Sequence, residues 1–216
     1  GYRRHENTNV DDLRNATWLR LEEHQVQDHA LQDFDIQKLR KLIPQLLELT
    51  HLDDDEGFRQ TRRLLATCGV ALSFVPDIQG CRASGATKWL PSGRPLIVIT
   101  DRYKKSDSMW FSLFHELGHV VLHPKRITII SLPADGDDAE GYEEQANDYA
   151  ARLVVPPEFL PQLDSSRTRA DVEAHAERVP AHVSLVAGQW ANSPDDYRTG
   201  AKRSPNLNVE ALNTAA

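Results

Sequence analysis

Apolar residues recur at every third or fourth position in several stretches of the chain, and this spacing predicts amphipathic helices. The clearest stretch spans 36–47 (IQKLRKLIPQLL), with Asp35 placed to cap its first turn. Pro44 lies within it and is expected to kink or interrupt the helix. Further helices are predicted over 11–23, in a polar stretch, and over 57–68, after an acidic cluster. None of these three helices carries a recognisable chemical motif, so we interpret them as packing elements.

Short β-rich runs replace the helical spacing in the middle of the chain. Strands are predicted over 70–75, 83–90, 96–100 and 126–131, and turn residues at 91–93 join the second and third strands into a hairpin. The third strand (LIVIT) is also our candidate for a sheet edge that binds an extended peptide. Together with the helices, these strands predict an α+β fold.

Helical spacing returns in the second half of the chain. One helix is predicted over 106–123 and another over 139–154, the latter closed by two prolines. Shorter helices are predicted over 158–163, over 170–178 and from Pro180 onward. The two longer helices concentrate histidine and glutamate side chains, which bind metals and transfer protons.

The chain has 216 residues, with 25 Lys and Arg against 32 Asp and Glu, a formal net charge of −7. Phosphate backbones bind basic surfaces, so direct nucleic-acid binding is not expected. No apolar run approaches the roughly 18 residues that a membrane-spanning helix needs. Cys68 and Cys81 have neither metal-site nor disulfide spacing, which predicts a cytoplasmic protein. Because the chain starts at Gly1 rather than Met, we expect it to be processed or cut from a longer one.

The predicted helix over 106–123 contains an H-E-x-x-H motif at 115–119 (HELGH). Residues four apart on a helix differ by about 40° in azimuth, so His115 and His119 point the same way and can share one zinc ion. Glu116 lies near enough to act as a general base on water. The alternative is a packed helix with two core histidines, but it would leave a carboxylate buried without a partner, which is costly. The motif therefore predicts a catalytic metal centre.

A catalytic zinc ion needs a third protein ligand and one open position. His123 is one candidate, although its spacing does not fit the longer motif with a third histidine, and a helix-end imidazole that complements the helix dipole is the alternative. The acidic residues of the helix over 139–154 are the other candidates. Both possibilities lie within 30 residues of the motif.

Azimuths of about 100° per residue separate the acidic candidates of this helix. Glu143 borders the apolar face, whereas Glu140 and Glu144 point toward solvent. Glu143 is therefore the predicted third ligand, with a solvated helical charge as its alternative role. Asn147, one turn later, is placed to hydrogen-bond to a metal ligand without binding the metal itself.

Two stretches together, LFHELGHVVLH (113–123) and EEQANDYAARLVVP (143–156), closely resemble the ImmA/IrrE family of zinc metallopeptidases. The resemblance covers roughly 36–163, and Gln145 stands where the family often has a glutamate. It implies a zinc ion (Zn²⁺) as cofactor and these roles: zinc ligands His115, His119 and Glu143, and catalytic base Glu116. The mechanism of such a centre also needs an oxyanion-stabilising donor, for which Tyr103 is our candidate, with packing or solvent exposure as its alternative role.

The resemblance also implies a domain division. A zincin-like metallopeptidase core with a small β-sheet and the H-E-x-x-H helix is expected between flanking helical parts. The expected division is 1–35 (N-terminal helical or extended segment), 36–163 (metallopeptidase domain), 164–191 (helical subdomain resembling a helix-turn-helix) and 192–216 (flexible tail). From residue 160 onward the chain contains six basic and seven acidic residues, so the subdomain is interpreted as a packing module rather than a DNA-binding module.

The resemblance implies an intracellular endopeptidase that cleaves a regulatory protein, a helix-turn-helix repressor or an antitoxin. Such cleavage would control gene expression in a stress, mobile-element or toxin–antitoxin setting. Relatives occur fused to an N-terminal DNA-binding domain, and the segment before Gly1 could hold one. Two alternatives remain open: a regulatory or sensory binding module that keeps the fold without cleaving, and a hydrolase of a non-peptide substrate.

Overall fold

The computed structural model of the chain describes six segments, residues 31–76, 83–102, 104–123, 129–131, 141–166 and 168–191. For a few positions within them only the backbone is described, namely 129–131, 162, 164, 165 and 191. Several features of the sequence lie outside the described residues, namely the helix predicted over 11–23, Cys81, Tyr103, Glu140 and the tail predicted over 192–216.

The described residues form a mixed arrangement of helices and strands. The helices are α1 (Ile36–Leu49), α2 (Asp54–Thr67), α3 (Ser106–Leu122), α4 (Tyr142–Val154), α5 (Leu160–Ser165), α6 (Arg169–Ala176) and α7 (Val183–Ala191), with a 3-10 turn at Pro157–Phe159. The strands are β1 (Ala71–Val75), β2 (Gly85–Trp89), β3 (Pro95–Thr100) and β4 (Ile129–Ser131). The α+β fold class predicted from the sequence is confirmed.

Helix α1 shows how the apolar spacing becomes structure. The Asp35 carboxylate caps it by accepting hydrogen bonds from the backbone N–H groups of Gln37 and Lys38, at 2.9 and 3.0 Å. The helix continues through Pro44 to its end, so the predicted interruption is wrong. Proline removes one backbone hydrogen bond, but this loss is outweighed by burial of the apolar face. That face consists of Leu39, Ile43, Leu46 and Leu47.

The four strands form one sheet in the order β1-β3-β2-β4. Strand β3 pairs in parallel with β1 and antiparallel with β2, and β4 pairs antiparallel with β2. The prediction that 96–100 forms a sheet edge for an extended peptide is wrong, because β3 lies between two strands and all six of its residues are buried. A continuous apolar run of this kind is typical of a strand covered on both faces.

Helix α3 lies at the centre of the largest hydrophobic cluster, packed against α4, α7 and strands β2 and β3. Its Trp110 stacks on Phe58 of α2, with ring centroids 4.2 Å apart. Apolar residues of the C-terminal helices belong to this same cluster, among them Val172, Leu185, Val186 and Trp190. The 164–191 segment therefore packs on the helix that carries the H-E-x-x-H motif, while a domain boundary near 163 stays a prediction. Among the described helices, none is long and apolar enough to cross a membrane.

Candidate metal centre

The H-E-x-x-H motif occupies the buried middle of α3, where His115, Glu116 and His119 all have their side chains enclosed. The helical spacing brings the two imidazoles together, and their Nε2 atoms lie 3.0 Å apart. The rings are nearly perpendicular, at an interplanar angle of 78°. Both Nε2 atoms thus face one point on the surface of α3.

Helix α4 brings a carboxylate to that point because it approaches α3 closely at Gly118. A Cβ atom at position 118 would lie only 3.1 Å from the Ala146 Cα and 3.2 Å from the Tyr149 Cδ1. Glycine in the middle of a helix costs about 1 kcal/mol relative to alanine, and here it allows the close contact of the two helices. The close packing of these helices places Glu143 beside the two imidazoles.

The Glu143 carboxylate lies against both histidines of the motif. Its Oε2 is 3.2 Å from the His115 Nε2, and its Oε1 is 3.3 Å from the His119 Nε2. The side chain of Glu143 keeps 29% of its surface exposed, whereas the two histidines are buried. The site is therefore enclosed on the α3 side and open to solvent on the Glu143 side.

The three side chains fit a tetrahedrally coordinated divalent metal ion. Ligands bound to zinc at about 2.0–2.1 Å lie about 3.3–3.4 Å from one another around a tetrahedron. The two Nε2 atoms lie 3.0 Å apart, and they lie 3.2 and 3.3 Å from the Oε2 and Oε1 atoms of the Glu143 carboxylate, respectively. His115, His119 and Glu143 form the one group of this kind among the described residues, with ligand atoms within 4.8 Å of one another. Two imidazole nitrogens and one carboxylate oxygen are also a donor set found in catalytic zinc sites.

Electrostatics keep the third donor in its ligating form. Burial alone would raise the pKa of Glu143, but hydrogen bonds from His115 and His119 and the charge on those rings lower it to about 2. Burial disfavours the charged form of His115, yet Glu143, Glu116 and Asn147 together raise the pKa of this imidazole above its usual value. Glu143 is thus an ionised carboxylate at neutral pH. A cation bound between Glu143 and the two imidazoles would take the place of a proton on an imidazole nitrogen.

Two further side chains contact the histidines from the far side of their rings. The Asn147 Oδ1 lies 2.8 Å from the His115 Nδ1, which is the contact that the helical spacing suggested for Asn147. The His123 Nδ1 lies 2.8 Å from the His119 Nδ1, the ring nitrogen remote from Glu143. His123 is accordingly outside the group of donor atoms that the described residues form, although the sequence left it open as a third ligand.

The candidate base Glu116 is fully buried and held by strand β2. Its Oε2 accepts a hydrogen bond of 2.7 Å from the Thr87 hydroxyl. A Cβ atom at Gly85 would lie 2.5 Å from the Glu116 Oε1, so only glycine leaves room for the carboxylate there. Sequence reasoning missed both β2 residues. A glycine inside a strand pattern marks a close approach, and positions 85 and 87 share one face of a strand, so a signal for this contact was present.

Of the residues predicted for the site, the structure brings together His115, Glu116, His119, Glu143 and Asn147. Tyr103, the candidate oxyanion donor, lies outside the described residues and stays a prediction. The catalytic and ligand roles of the five clustered residues are likewise predictions, which the geometry makes chemically reasonable.

Comparison with protein families finds a match to a peptidase family. The model of the IrrE N-terminal-like domain, a peptidase family designated M78, matches residues 77–185, half of the chain. The matched region contains the H-E-x-x-H helix, α4 and most of the C-terminal helices. A comparison with curated proteins finds no match. The resemblance to the ImmA/IrrE family is confirmed, and the chain belongs to the IrrE N-terminal-like family of peptidases.

Proposed function

We propose that this chain is a zinc-dependent endopeptidase of the cytoplasm that cleaves a regulatory protein, a helix-turn-helix repressor or an antitoxin. The observation that carries the proposal is the grouping of two buried imidazoles and one ionised carboxylate, with Glu116 beside them. Membership of a peptidase family supports the reaction class. The cleavage would change gene expression in a stress, mobile-element or toxin–antitoxin setting.

His115, His119 and Glu143 would hold the zinc ion, since their ligand atoms lie within 4.8 Å of one another and form a donor set found in catalytic zinc sites. When bound there, zinc supplies Lewis acidity that acidifies water and polarises a peptide carbonyl. Three protein ligands leave the fourth position open for the reactants. The exposed side of Glu143 is where a substrate can reach them.

Glu116 would act as the general base. Its carboxylate lies close enough to His115 for its charge to raise the pKa of that imidazole. Glu116 would take a proton from the attacking water and then deliver it to the amine that leaves the broken peptide bond. The Thr87 hydroxyl donates a hydrogen bond to the Glu116 Oε2 and so restrains the position of the carboxylate.

A protein is a better partner for this chain than a nucleic acid, because the formal net charge is −7. The 164–191 segment supports this choice, since its apolar residues pack into the cluster around α3. A helix-turn-helix repressor or antitoxin is the substrate class that the family resemblance implies.

Mass spectrometry of a candidate substrate tests the proposal. The helix-turn-helix protein encoded nearest to this gene is incubated with the wild-type chain and with Glu116→Gln, both loaded with zinc. We expect cleavage by the wild type alone, with one zinc ion per chain in both proteins.

Each contrary outcome removes a different part of the proposal. Normal cleavage by Glu116→Gln would exclude Glu116 as the base. A wild-type chain that binds no zinc would exclude the metal centre. A zinc-loaded wild type that binds the partner without cutting it would favour the non-cleaving binding module.

A further inference from the structure

His123 follows the last residue of α3 and contacts the far side of a candidate zinc ligand. The His119 and His123 Nδ1 atoms lie 2.8 Å apart, within hydrogen-bond distance. Both residues are buried, with 1% and 7% of their surfaces exposed. The His123 ring also stacks on Tyr142, the first residue of α4, with ring centroids 4.3 Å apart. His123 is therefore held between the two helices that supply the metal donors.

The direction of this hydrogen bond follows from the direction in which His119 points. Its Nε2 faces the His115 Nε2 at 3.0 Å and the Glu143 Oε1 at 3.3 Å. When zinc takes the place of the proton on that nitrogen, the neutral imidazole of His119 offers its Nε2 lone pair and carries its remaining proton on Nδ1. The His119 Nδ1–H must then donate, and the His123 Nδ1 must accept.

We propose that His123 is a positioning residue of the metal centre, whose Nδ1 accepts the His119 Nδ1–H and so keeps the His119 Nε2 lone pair directed at the zinc site. The inference rests on the proposed zinc centre. It gives His119 an acceptor equivalent to the one that Asn147 gives His115. Partners of this kind orient ligating histidines and raise their basicity, and their loss commonly weakens metal binding about 10- to 100-fold.

Zinc affinity, measured on the full chain by competition with a chromophoric chelator, tests the role of His123. His123→Phe keeps a ring against Tyr142 but removes the acceptor. His123→Asn restores an acceptor, because the asparagine Oδ1 lies close to the place of the histidine Nδ1. His175→Phe is the matched control, since His175 is also a buried histidine but contacts Phe159 rather than the metal donors.

We expect His123→Phe to weaken zinc binding about 10- to 100-fold. His123→Asn should stay within about threefold of the wild type and His175→Phe should match it, because both leave His119 with an acceptor. Thermal unfolding of the zinc-free proteins separates a positioning role of His123 from a general loss of structure. A general loss of structure would lower the unfolding temperature of both His123→Phe and His123→Asn.

Wild-type affinity in His123→Phe would overturn the inference while leaving the proposed zinc centre standing. Equal weakening by phenylalanine and asparagine, with intact zinc-free folds, would also overturn it. A wild type that binds no zinc would overturn the proposed function itself. If His123→Phe fails to fold, nitrogen NMR of the zinc-loaded wild type decides, since a His119 without a proton on Nδ1 contradicts the proposal.

Discussion

Replacing Gly85 by alanine should move the carboxylate of Glu116 while leaving the metal donors in place. The new Cβ would lie 2.5 Å from the Glu116 Oε1 and 3.0 Å from its Cγ. An ordinary contact between carbon and oxygen is about 3.4 Å, so the carboxylate must retreat by roughly 0.9 Å. Glu116 is fully buried and bonded to Thr87 at 2.7 Å, so this retreat also lengthens a hydrogen bond.

The expected effect on the reaction is large because proton transfer depends on position. A displacement of about 1 Å can cost about 100-fold in rate, which equals about 2.7 kcal/mol in the activation free energy. We therefore expect Gly85→Ala to lower kcat about 100-fold while KM and the zinc content stay near the wild-type values. Overpacking of the buried carboxylate should also reduce the free energy of unfolding by about 1–3 kcal/mol.

These values are checked together by steady-state kinetics on the proposed helix-turn-helix substrate, zinc analysis and urea denaturation. Gly93→Ala is the control, because a Cβ there meets nothing within 4 Å while the φ angle of +79° makes alanine unfavourable. That strain costs about 1–2 kcal/mol in stability. Because the new Cβ contacts no neighbouring atom, kcat should remain normal. A Gly85→Ala chain with wild-type kcat would refute the placement of Glu116 as the base. Loss of zinc from this variant would show that its effect is not confined to Glu116.

Four further substitutions test other parts of the structure. His115→Ala and Glu143→Ala should each abolish equimolar zinc binding, as measured by elemental analysis, since two donors alone hold zinc poorly; retention of zinc by either variant would remove that residue from the ligand set. Gly118→Ala should weaken zinc binding in the chelator assay, because the Cβ at 3.1 Å from the Ala146 Cα pushes α4 away from α3. In urea denaturation, overpacking should lower the free energy of unfolding by about 1–3 kcal/mol, and the higher helix propensity of alanine should restore about 1 kcal/mol of it. Burial and the charge of His51 lower the pKa of His182 below its usual 6.5. The contribution of neutral His182 to the free energy of unfolding is therefore complete above pH 6.5, and it is lost as the pH falls through the lower pKa of the folded state. His182→Asn, which keeps an acceptor for the Ser184 N–H, should flatten the fall in unfolding free energy between pH 7 and 5; an unchanged slope would contradict this assignment.

The sequence predicted what depends on local spacing. The four-residue interval of His115 and His119 places both rings on one face of any helix, and the azimuth of Glu143 points it toward the buried side of its own helix. The same periodicity predicted most helices and strands to within a few residues of their observed ends. These inferences hold because the backbone geometry of a helix or strand does not depend on the rest of the chain.

Contacts between distant segments were decided by the tertiary structure alone. Strand β3 is internal rather than an edge because β1 and β2 both pair with it, and strand order is not written in the spacing of a single strand. Thr87 and Gly85 meet Glu116 across about 30 positions of sequence, and His123 turns its ring to His119 where α4 packs on α3. Spacing along the chain thus determined which side chains could bind a metal. Packing between helices and sheet decided which residues orient them, because those contacts exist only once the apolar faces are buried together.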